Sequence, residues 1–234
     1  MRLITHDKLV NRNVLIGKYS FGAGMVLLVG AFLINLYAFS RPNDALVVFY
    51  ALGAFLFGFT LTNIGTVFQN RWGRRPDKGL ADALKGLDDR FTLYNYRLGS
   101  PHVFVGPGGV FVLVPKFQPG PISYDGKRWQ APGAPRGFMG LFNADPLGNP
   151  VAEAAAEVDS LARYLKRHAP EIGIVPQALV VFMSPRAEVS AKDAPIPALH
   201  VKKLKEYVRR LPKGPTLSAQ AQAELEQKLG IAPG

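Results

Sequence analysis

The sequence predicts an α/β protein in which two long apolar helices precede one mixed domain. Residues 19–40 and residues 45–70 carry no charged side chain. Residues 79–234 instead alternate short β-favouring runs with amphipathic helical patterns, and they show no internal repeat. A segment of this length is the size of one compact domain. We therefore expect a helical hairpin followed by a single α/β domain with C-terminal helices.

The two uncharged runs predict a transmembrane hairpin over residues 19–70. They contain 22 and 26 residues, and about 20 apolar residues suffice for a helix to cross a hydrocarbon core of about 30 Å. The connector Arg41-Pro42-Asn43-Asp44 is short and rich in turn formers. We expect helices at about 19–40 and 45–69, packed antiparallel, so that the protein is integral to the membrane with two spans.

The basic residues beside the two spans predict their orientation. Four cations precede the first span, four follow the second, and only Arg41 lies in the connector. Because Lys and Arg accumulate on the cytoplasmic side, we expect a cytoplasmic tail (1–18), a basic juxtamembrane linker (71–78), a cytoplasmic domain (79–234) and both termini in the cytoplasm. A cleaved signal peptide is the alternative for the first span, since Ala38-Phe39-Ser40 loosely resembles a cleavage site, but the 18-residue leader argues against it. The flanking cations are Arg2, Lys8, Arg12, Lys18, Arg71, Arg74, Arg75 and Lys78.

Composition limits the chemistry that the chain can perform. The 234 residues include no cysteine, which excludes disulfides, a thiolate nucleophile and Cys-ligated metals. Neither span contains an ionisable side chain, so no proton or ion pathway is predicted. The few polar side chains of the two spans are expected to form helix–helix hydrogen bonds: they are Asn35, Thr60, Thr62 and Asn63.

The net charge of +11 does not by itself predict a nucleic-acid-binding protein. Residues 1–78 hold 9 Lys and Arg against 3 Asp and Glu, whereas residues 79–234 hold 19 against 14. More than half of the excess therefore belongs to the hairpin and its flanks, where it sets topology and attracts anionic headgroups.

The first part of the domain predicts a helix followed by strands. Leu80, Leu84 and Leu87 recur at helical spacing in residues 79–88. Residues 91–97, 102–105 and 110–114 favour β-structure, and Gly106-Pro107-Gly108-Gly109 joins the last two as a hairpin. Asp125-Gly126 predicts another tight turn, and residues 130–150 a long loop.

The second part predicts helices around one buried strand. Asn149-Pro150 should begin a helix, because proline favours the first helical turn. Residues 175–184 contain a fully apolar run typical of a buried central strand. Val201, Leu204 and Val208 line one face of a later helix, and residues 218–229 form a last one.

Residues 101–116 resemble the nuclease-related domain (NERD) family. That family has a pattern similar to I-D-H-x-V-V-x-x-x-G-V-F-V-I-E-x-K, followed by a turn with glycine, and this chain matches it at His102, Gly109, Lys116 and Gly120. The resemblance covers roughly residues 78–212 and includes the Asn149-Pro150 helix start. It implies a restriction-endonuclease-like α-β-β-β-α-β fold and a site that hydrolyses phosphodiesters with Mg²⁺.

The chain departs from the family at both carboxylates. The family's aspartate falls on Pro101 and its glutamate on Val114. On a strand, residues i and i+2 share a face, so the family's glutamate would lie beside Lys116. Magnesium requires oxygen ligands, and neither proline nor valine supplies one from its side chain.

These departures predict a non-catalytic module that binds nucleic acid or a protein partner, with no resident metal or cofactor. Lys116 would be the remnant phosphate-contacting residue. The alternatives are an active nuclease with a relocated carboxylate, for which Mg²⁺ would be the cofactor, and a structural subunit of a membrane complex. Relocated carboxylates could come from Asp82, Asp88, Asp89, Asp125 or Glu153. Phosphate or lipid-headgroup contacts are predicted on the polar side of one helix: Lys202, Lys203, Lys205, Arg209 and Arg210.

Overall fold

The chain forms a helical unit that is inserted into an α/β unit. The helical unit comprises Asp7–Arg75, and the α/β unit combines Met1–His6 with the chain from Pro76 onward. The computed structural model describes residues 1–39, 45–131, 147–170, 173–214 and 218–228. The predicted connector between the apolar helices and most of the predicted loop over residues 130–150 lie outside these residues. The predicted α/β class with two long apolar N-terminal helices is confirmed.

The helical unit consists of α1 (Asp7–Phe39) and α2 (Ala45–Phe68), which π-helical residues Gln69–Gly73 extend. Both helices are long enough and apolar enough to cross a membrane. At 1.5 Å per residue they measure about 50 Å and about 36 Å. Helix α1 begins near residue 7 and not near residue 19, because an uncharged run indicates the length of a span, whereas a helix can continue through polar residues.

Small residues at every seventh position bring the two helices together. Bulky side chains of both helices, such as Val26 and Phe49, point outward and are about 70% exposed. A Cβ atom on Gly24 would overlap Thr62, one on Gly65 would overlap the backbone of Phe21, and one on Gly58 would lie 3.0 Å from the oxygen of Gly24. The buried small residues are Gly17, Gly24, Ala31 and Ala38 in α1 and Ala51, Gly58 and Gly65 in α2.

The four polar side chains predicted to bond across the helix pair instead bond within their own helices. Asn35 donates to the carbonyl of Ala31, and Thr62 donates to that of Gly58. Thr60 and Asn63 likewise bond to carbonyls four residues earlier in their own helix. Side chains of this length reach the preceding turn of the same helix readily, so each satisfies its donor without a partner helix.

The α/β unit is built on two β-sheets. Their strands are β1 (Arg2–Thr5), β2 (Thr92–Asn95), β3 (His102–Gly106), β4 (Gly109–Lys116), β5 (Gly120–Tyr124), β6 (Trp129–Gln130), β7 (Gln177–Phe182), β8 (Ala187–Ser190) and β9 (Ala198–His200). The large, six-stranded sheet has the order β1-β2-β3-β4-β7-β9 and the second sheet the order β6-β5-β8. In the large sheet, β2, β3 and β4 are antiparallel, while β1 pairs parallel with β2, β7 with β4, and β9 with β7.

Helices cover both faces of the large sheet. The helices of this unit are α3 (Pro76–Leu84), α4 (Pro150–His168), α5 (Val201–Arg210) and α6 (Ala219–Lys228). Val112, Val114 and Val180 point to the face that α4 covers, and Leu113 and Leu179 point to the face of α3 and α5. Burial on both faces explains why β4 and β7 are continuous apolar runs rather than alternating ones.

Two segments differ from their sequence predictions. Residues 2–5 form β1 in the large sheet, not a tail, because their pairing depends on β2, which lies about 90 residues later in the chain. The predicted basic linker over residues 71–78 is largely helical: the π-helix runs to Gly73 and α3 starts at Pro76. Only Arg74 and Arg75 lie between them.

Candidate functional site

Lys116, at the end of β4, lies beside Glu153 in the first turn of α4. The Lys116 ammonium donates to both carboxylate oxygens of Glu153, at 2.7 and 2.6 Å, and to the backbone oxygen of Leu147 at 3.0 Å. Lys116 is only 7% exposed, whereas the side chain of Glu153 is about half exposed. The buried cation therefore has three oxygen acceptors within hydrogen-bonding distance.

Local structure fixes both partners of this ion pair. Lys116 follows Val114 on the sheet face that α4 covers. Asn149 caps α4 by accepting from the backbone N–H of Ala152 at 3.2 Å, and Pro150 occupies the first helical position. Glu153 follows within the same turn, where a carboxylate is stabilised by the helix dipole. The predicted helix start at Asn149-Pro150 therefore places Glu153 beside Lys116.

The two positions that the resemblance matches with carboxylates offer no oxygen ligand. Pro101 lies one residue before β3 begins, and Val103, two residues later, pairs with Val112. Val114 is buried in the apolar cluster beneath α4. The positions that would hold two carboxylates in the family therefore present a proline and an apolar side chain.

The residues around Lys116 do not fit a magnesium site. Mg²⁺ favours an octahedral set of oxygen ligands that usually includes one or two carboxylates. Glu153 supplies one carboxylate, and both of its oxygens already accept from Lys116. Across the described ranges, no group of three or more His, Asp or Glu residues is placed to hold a metal ion.

The other four candidate carboxylates are not brought to Lys116. Asp82 is exposed on α3. Asp88 pairs with Arg90 at 2.7 Å, and the hydrogen bond from this guanidinium lowers the pKa of Asp88 to about 2. Asp89 lies 3.3 Å from the N-terminal amine. Asp125 accepts the backbone N–H groups of the turn that follows it, which lowers its pKa. Of the five candidates, Glu153 is the one that the structure brings to Lys116.

The basic helix predicted to contact phosphates is α5, and three of its five cations have partners within the α/β unit. Lys205 donates to the carbonyl of Lys85 at 2.6 Å, and Arg209 donates to that of Gly86 at 3.2 Å. These carbonyls follow the C-terminal end of α3, where cations are favourable. Arg210 pairs with Glu206, while Lys202 and Lys203 are exposed.

Sequence reasoning missed a buried polar network at the start of β3. His102 donates from Nδ1 to the Asn95 side-chain oxygen at 2.8 Å, because that oxygen can only accept. The Asn95 amide donates in turn to the Thr5 hydroxyl at 3.1 Å. Burial lowers the pKa of His102 to about 4, against the opposing influence of Asp77. In the sequence, the sign of this network is Asn95, an asparagine within a β-favouring run.

A second buried network holds the last helix against the sheet. Glu226 of α6 accepts from the Tyr94 hydroxyl and from the Arg2 guanidinium, each at 2.6 Å. Burial raises the pKa of Tyr94. Because Arg2 belongs to β1 and Tyr94 to β2, one carboxylate joins three elements that lie far apart in the sequence.

Comparison with known proteins does not identify a family, since no family model matches the chain and neither the curated proteins nor the solved structures include a match.

Proposed function

We propose that this protein is a membrane-anchored, non-catalytic binding module with a restriction-endonuclease-like domain of NERD type. The observation that carries the proposal is the pairing of Lys116 with both oxygens of Glu153, next to Val114. A phosphodiesterase of this type needs a metal to polarise the phosphate and activate water. The local donor set favours an ion pair over a metal, so we expect binding of nucleic acid or of a protein partner without hydrolysis.

The topology of the large sheet supports the proposed fold. The order α3, β2, β3, β4, α4, β7 follows the α-β-β-β-α-β pattern, with β2–β4 antiparallel and β7 parallel to β4. The position of Lys116 at the end of β4 and the helix start at Pro150 also support it.

The proposed anchor is the hairpin of α1 and α2, with two spans and both termini in the cytoplasm. Large apolar side chains such as Phe32 and Phe57 are exposed, while glycine and alanine fill the interface between the helices. This distribution suits a lipid environment, where helix pairs associate through small residues. Pairing of β1 with β2 supports placing the N-terminus and the domain on the same side of the membrane.

Cysteine labelling tests this topology, because the natural chain has no cysteine. We expect an impermeant maleimide to label an Asn43→Cys variant in intact cells, and to label Gln227→Cys only after the cells are lysed. Equal labelling of both variants in intact cells would contradict the proposed orientation.

A cleavage assay tests the absence of catalysis. Purified full-length protein in detergent should leave supercoiled plasmid and single-stranded RNA intact in Mg²⁺ or Mn²⁺, even at high protein concentration. Cleavage that disappears in Lys116→Ala would refute the proposal, since a contaminating nuclease would not respond to that substitution.

An active nuclease with a relocated carboxylate is the second candidate. It is favoured by the convergence of Glu153 on Lys116. If Glu153 were the relocated ligand, Glu153→Gln would abolish metal-dependent cleavage, whereas Glu157→Gln on the same helix would leave it intact. The same plasmid assay therefore separates the two functions.

A further inference from the structure

We propose that the cleft between the β5–β6 hairpin and the start of α4 binds a segment of single-stranded nucleic acid. The cleft has a volume of about 370 Å³; Tyr124, Lys127, Arg128 and Trp129 form one wall, and Asn149 lies on the other. Clefts of a few hundred Å³ accept groups the size of a nucleotide. The inference rests on the proposed function, because it assigns a ligand to a module that binds without hydrolysing.

Two aromatic rings give this cleft a surface on which bases can stack. The ring centroids of Tyr124 and Trp129 lie 5.4 Å apart at an angle of 53°. Trp129 packs against Phe182 of the core, with centroids 6.1 Å apart. Tyr124 and Trp129 are nevertheless partly exposed. Trp129 is thus held against the core and still partly accessible, which suits stacking on a base, and such stacking accepts every base.

Two cations lie at the rim of the cleft on a rigid turn. The Asp125 carboxylate accepts the backbone N–H groups of Lys127 and Arg128 at 2.9 and 2.7 Å, and the Gln130 amide at 2.8 Å. Asp125 is therefore engaged within its own turn, and the side chains of Lys127 and Arg128 are exposed. No Asp or Glu belongs to the described lining of the cleft.

The opposite wall adds positive potential and little competing charge. Asn149 is the N-cap of α4, a helix of 19 residues, and the start of a helix carries partial positive charge. Glu153 lies one turn further on, where its charge is balanced by Lys116. Phosphates at the rim and a base against Trp129 would thus meet complementary groups. An anionic lipid headgroup could use the same cations, so the test includes lipid vesicles.

The test measures binding of a labelled ten-residue oligothymidylate to the full chain in detergent micelles, with EDTA present. The parent protein carries Trp72→Phe, so that Trp129 is the single tryptophan. We expect the oligonucleotide to quench Trp129 emission and the affinity to fall steeply with rising salt, because counterions are released. The variant K127A/R128A should bind at least about tenfold more weakly, since two phosphate contacts are lost.

The matched control is K166A/R167A, which removes the same charge from the exposed last turn of α4. We expect the affinity of this control for the oligonucleotide to stay within about threefold of the parent's, because it loses charge but no residue of the cleft. An equal or larger loss in K166A/R167A would overturn the assignment, and so would absence of quenching by the oligonucleotide. Quenching or blue-shifted emission only with vesicles of phosphatidylcholine and phosphatidylglycerol would assign the cleft to lipid and refute the proposal.

The failure of this inference is distinguishable from failure of the proposed function. An oligonucleotide that is neither bound nor cleaved would refute the Trp129 cleft alone. Cleavage of plasmid in Mg²⁺ that depends on Lys116 would refute the non-catalytic module, whatever the affinity in EDTA.

Discussion

The buried His102 should make the folding stability of the α/β unit depend on pH. In the folded protein its pKa is about 4, because burial disfavours the imidazolium, whereas an exposed histidine titrates near 6.5. Well above pH 6.5 the ring is neutral in both states and contributes no pH dependence. As the pH falls toward 4, the unfolded chain binds a proton that the folded chain does not, so the free energy of unfolding decreases.

The size of this effect follows from the difference between the two pKa values. Each pH unit corresponds to about 1.4 kcal/mol, so the full loss is about 3 kcal/mol, of which about 2 kcal/mol falls between pH 7 and pH 5. Asp77, the nearby carboxylate, opposes the shift without cancelling it.

Urea unfolding of the full chain in detergent, followed by Trp129 emission in the Trp72→Phe background, measures this loss. The comparison variant is His102→Asn, whose amide can still donate to the Asn95 oxygen. It should be less stable at pH 7, because the smaller side chain leaves a cavity, and its stability should fall by about 2 kcal/mol less between pH 7 and pH 5. An equal pH slope in the two proteins would refute the reasoning.

Three further predictions concern stability and packing. Glu153→Gln should lower the free energy of unfolding by about 2 kcal/mol, because a buried ammonium loses its counter-charge; the same urea assay should show Glu157→Gln within about 0.5 kcal/mol of the natural protein. Gly58→Leu should lower the thermal stability of the helical unit, measured by circular dichroism, because a Cβ atom at this position already lies 3.0 Å from α1. A Cβ atom at Gly53 meets open space, so Gly53→Ala should leave this thermal stability unchanged. Glu226→Gln should speed hydrogen exchange in α6, since Arg2 and Tyr94 lose a charged acceptor, and the exposed Glu224→Gln should leave that exchange unchanged.

The insertion of the hairpin into the α/β unit has a direct consequence for truncation. Removing residues 1–78 would delete β1 as well as the two apolar helices, expose the edge of β2 and leave Glu226 without Arg2. Replacing residues 7–75 by a short linker would retain β1. The second design should therefore give the more stable soluble protein.

Several parts of the fold could be predicted from local sequence alone. The uncharged runs gave the two apolar helices, and the continuous apolar runs gave β4 and β7 as strands buried on both faces. The Asn149-Pro150 pair gave the start of α4, since an N-cap and a first-turn proline act within one helical turn. These features depend on neighbours within a few residues, which is the range that a sequence pattern covers.

The composition of the site could be predicted only in part. Lys116 was identified by resemblance, and Glu153 was one of five candidate carboxylates that the sequence could not rank. The α5 cations illustrate the same limit, because the helical pattern places all five on a polar face but does not show that Lys205 and Arg209 bond to carbonyls beyond α3. Which polar groups meet depends on how helices pack across the sheet.

The sequence by itself determined the two apolar helices and most of the strands and helices of the α/β unit, and it showed a proline at position 101 and a valine at position 114. The tertiary structure decided that residues 2–5 are a strand, that Glu153 meets Lys116 across 37 residues of chain, and that His102 is held neutral by burial. The physical reason is the separation along the chain over which each interaction acts. Apolar periodicity and turn chemistry act between near neighbours, whereas strand pairing, ion pairing and desolvation depend on residues that only the complete fold brings together.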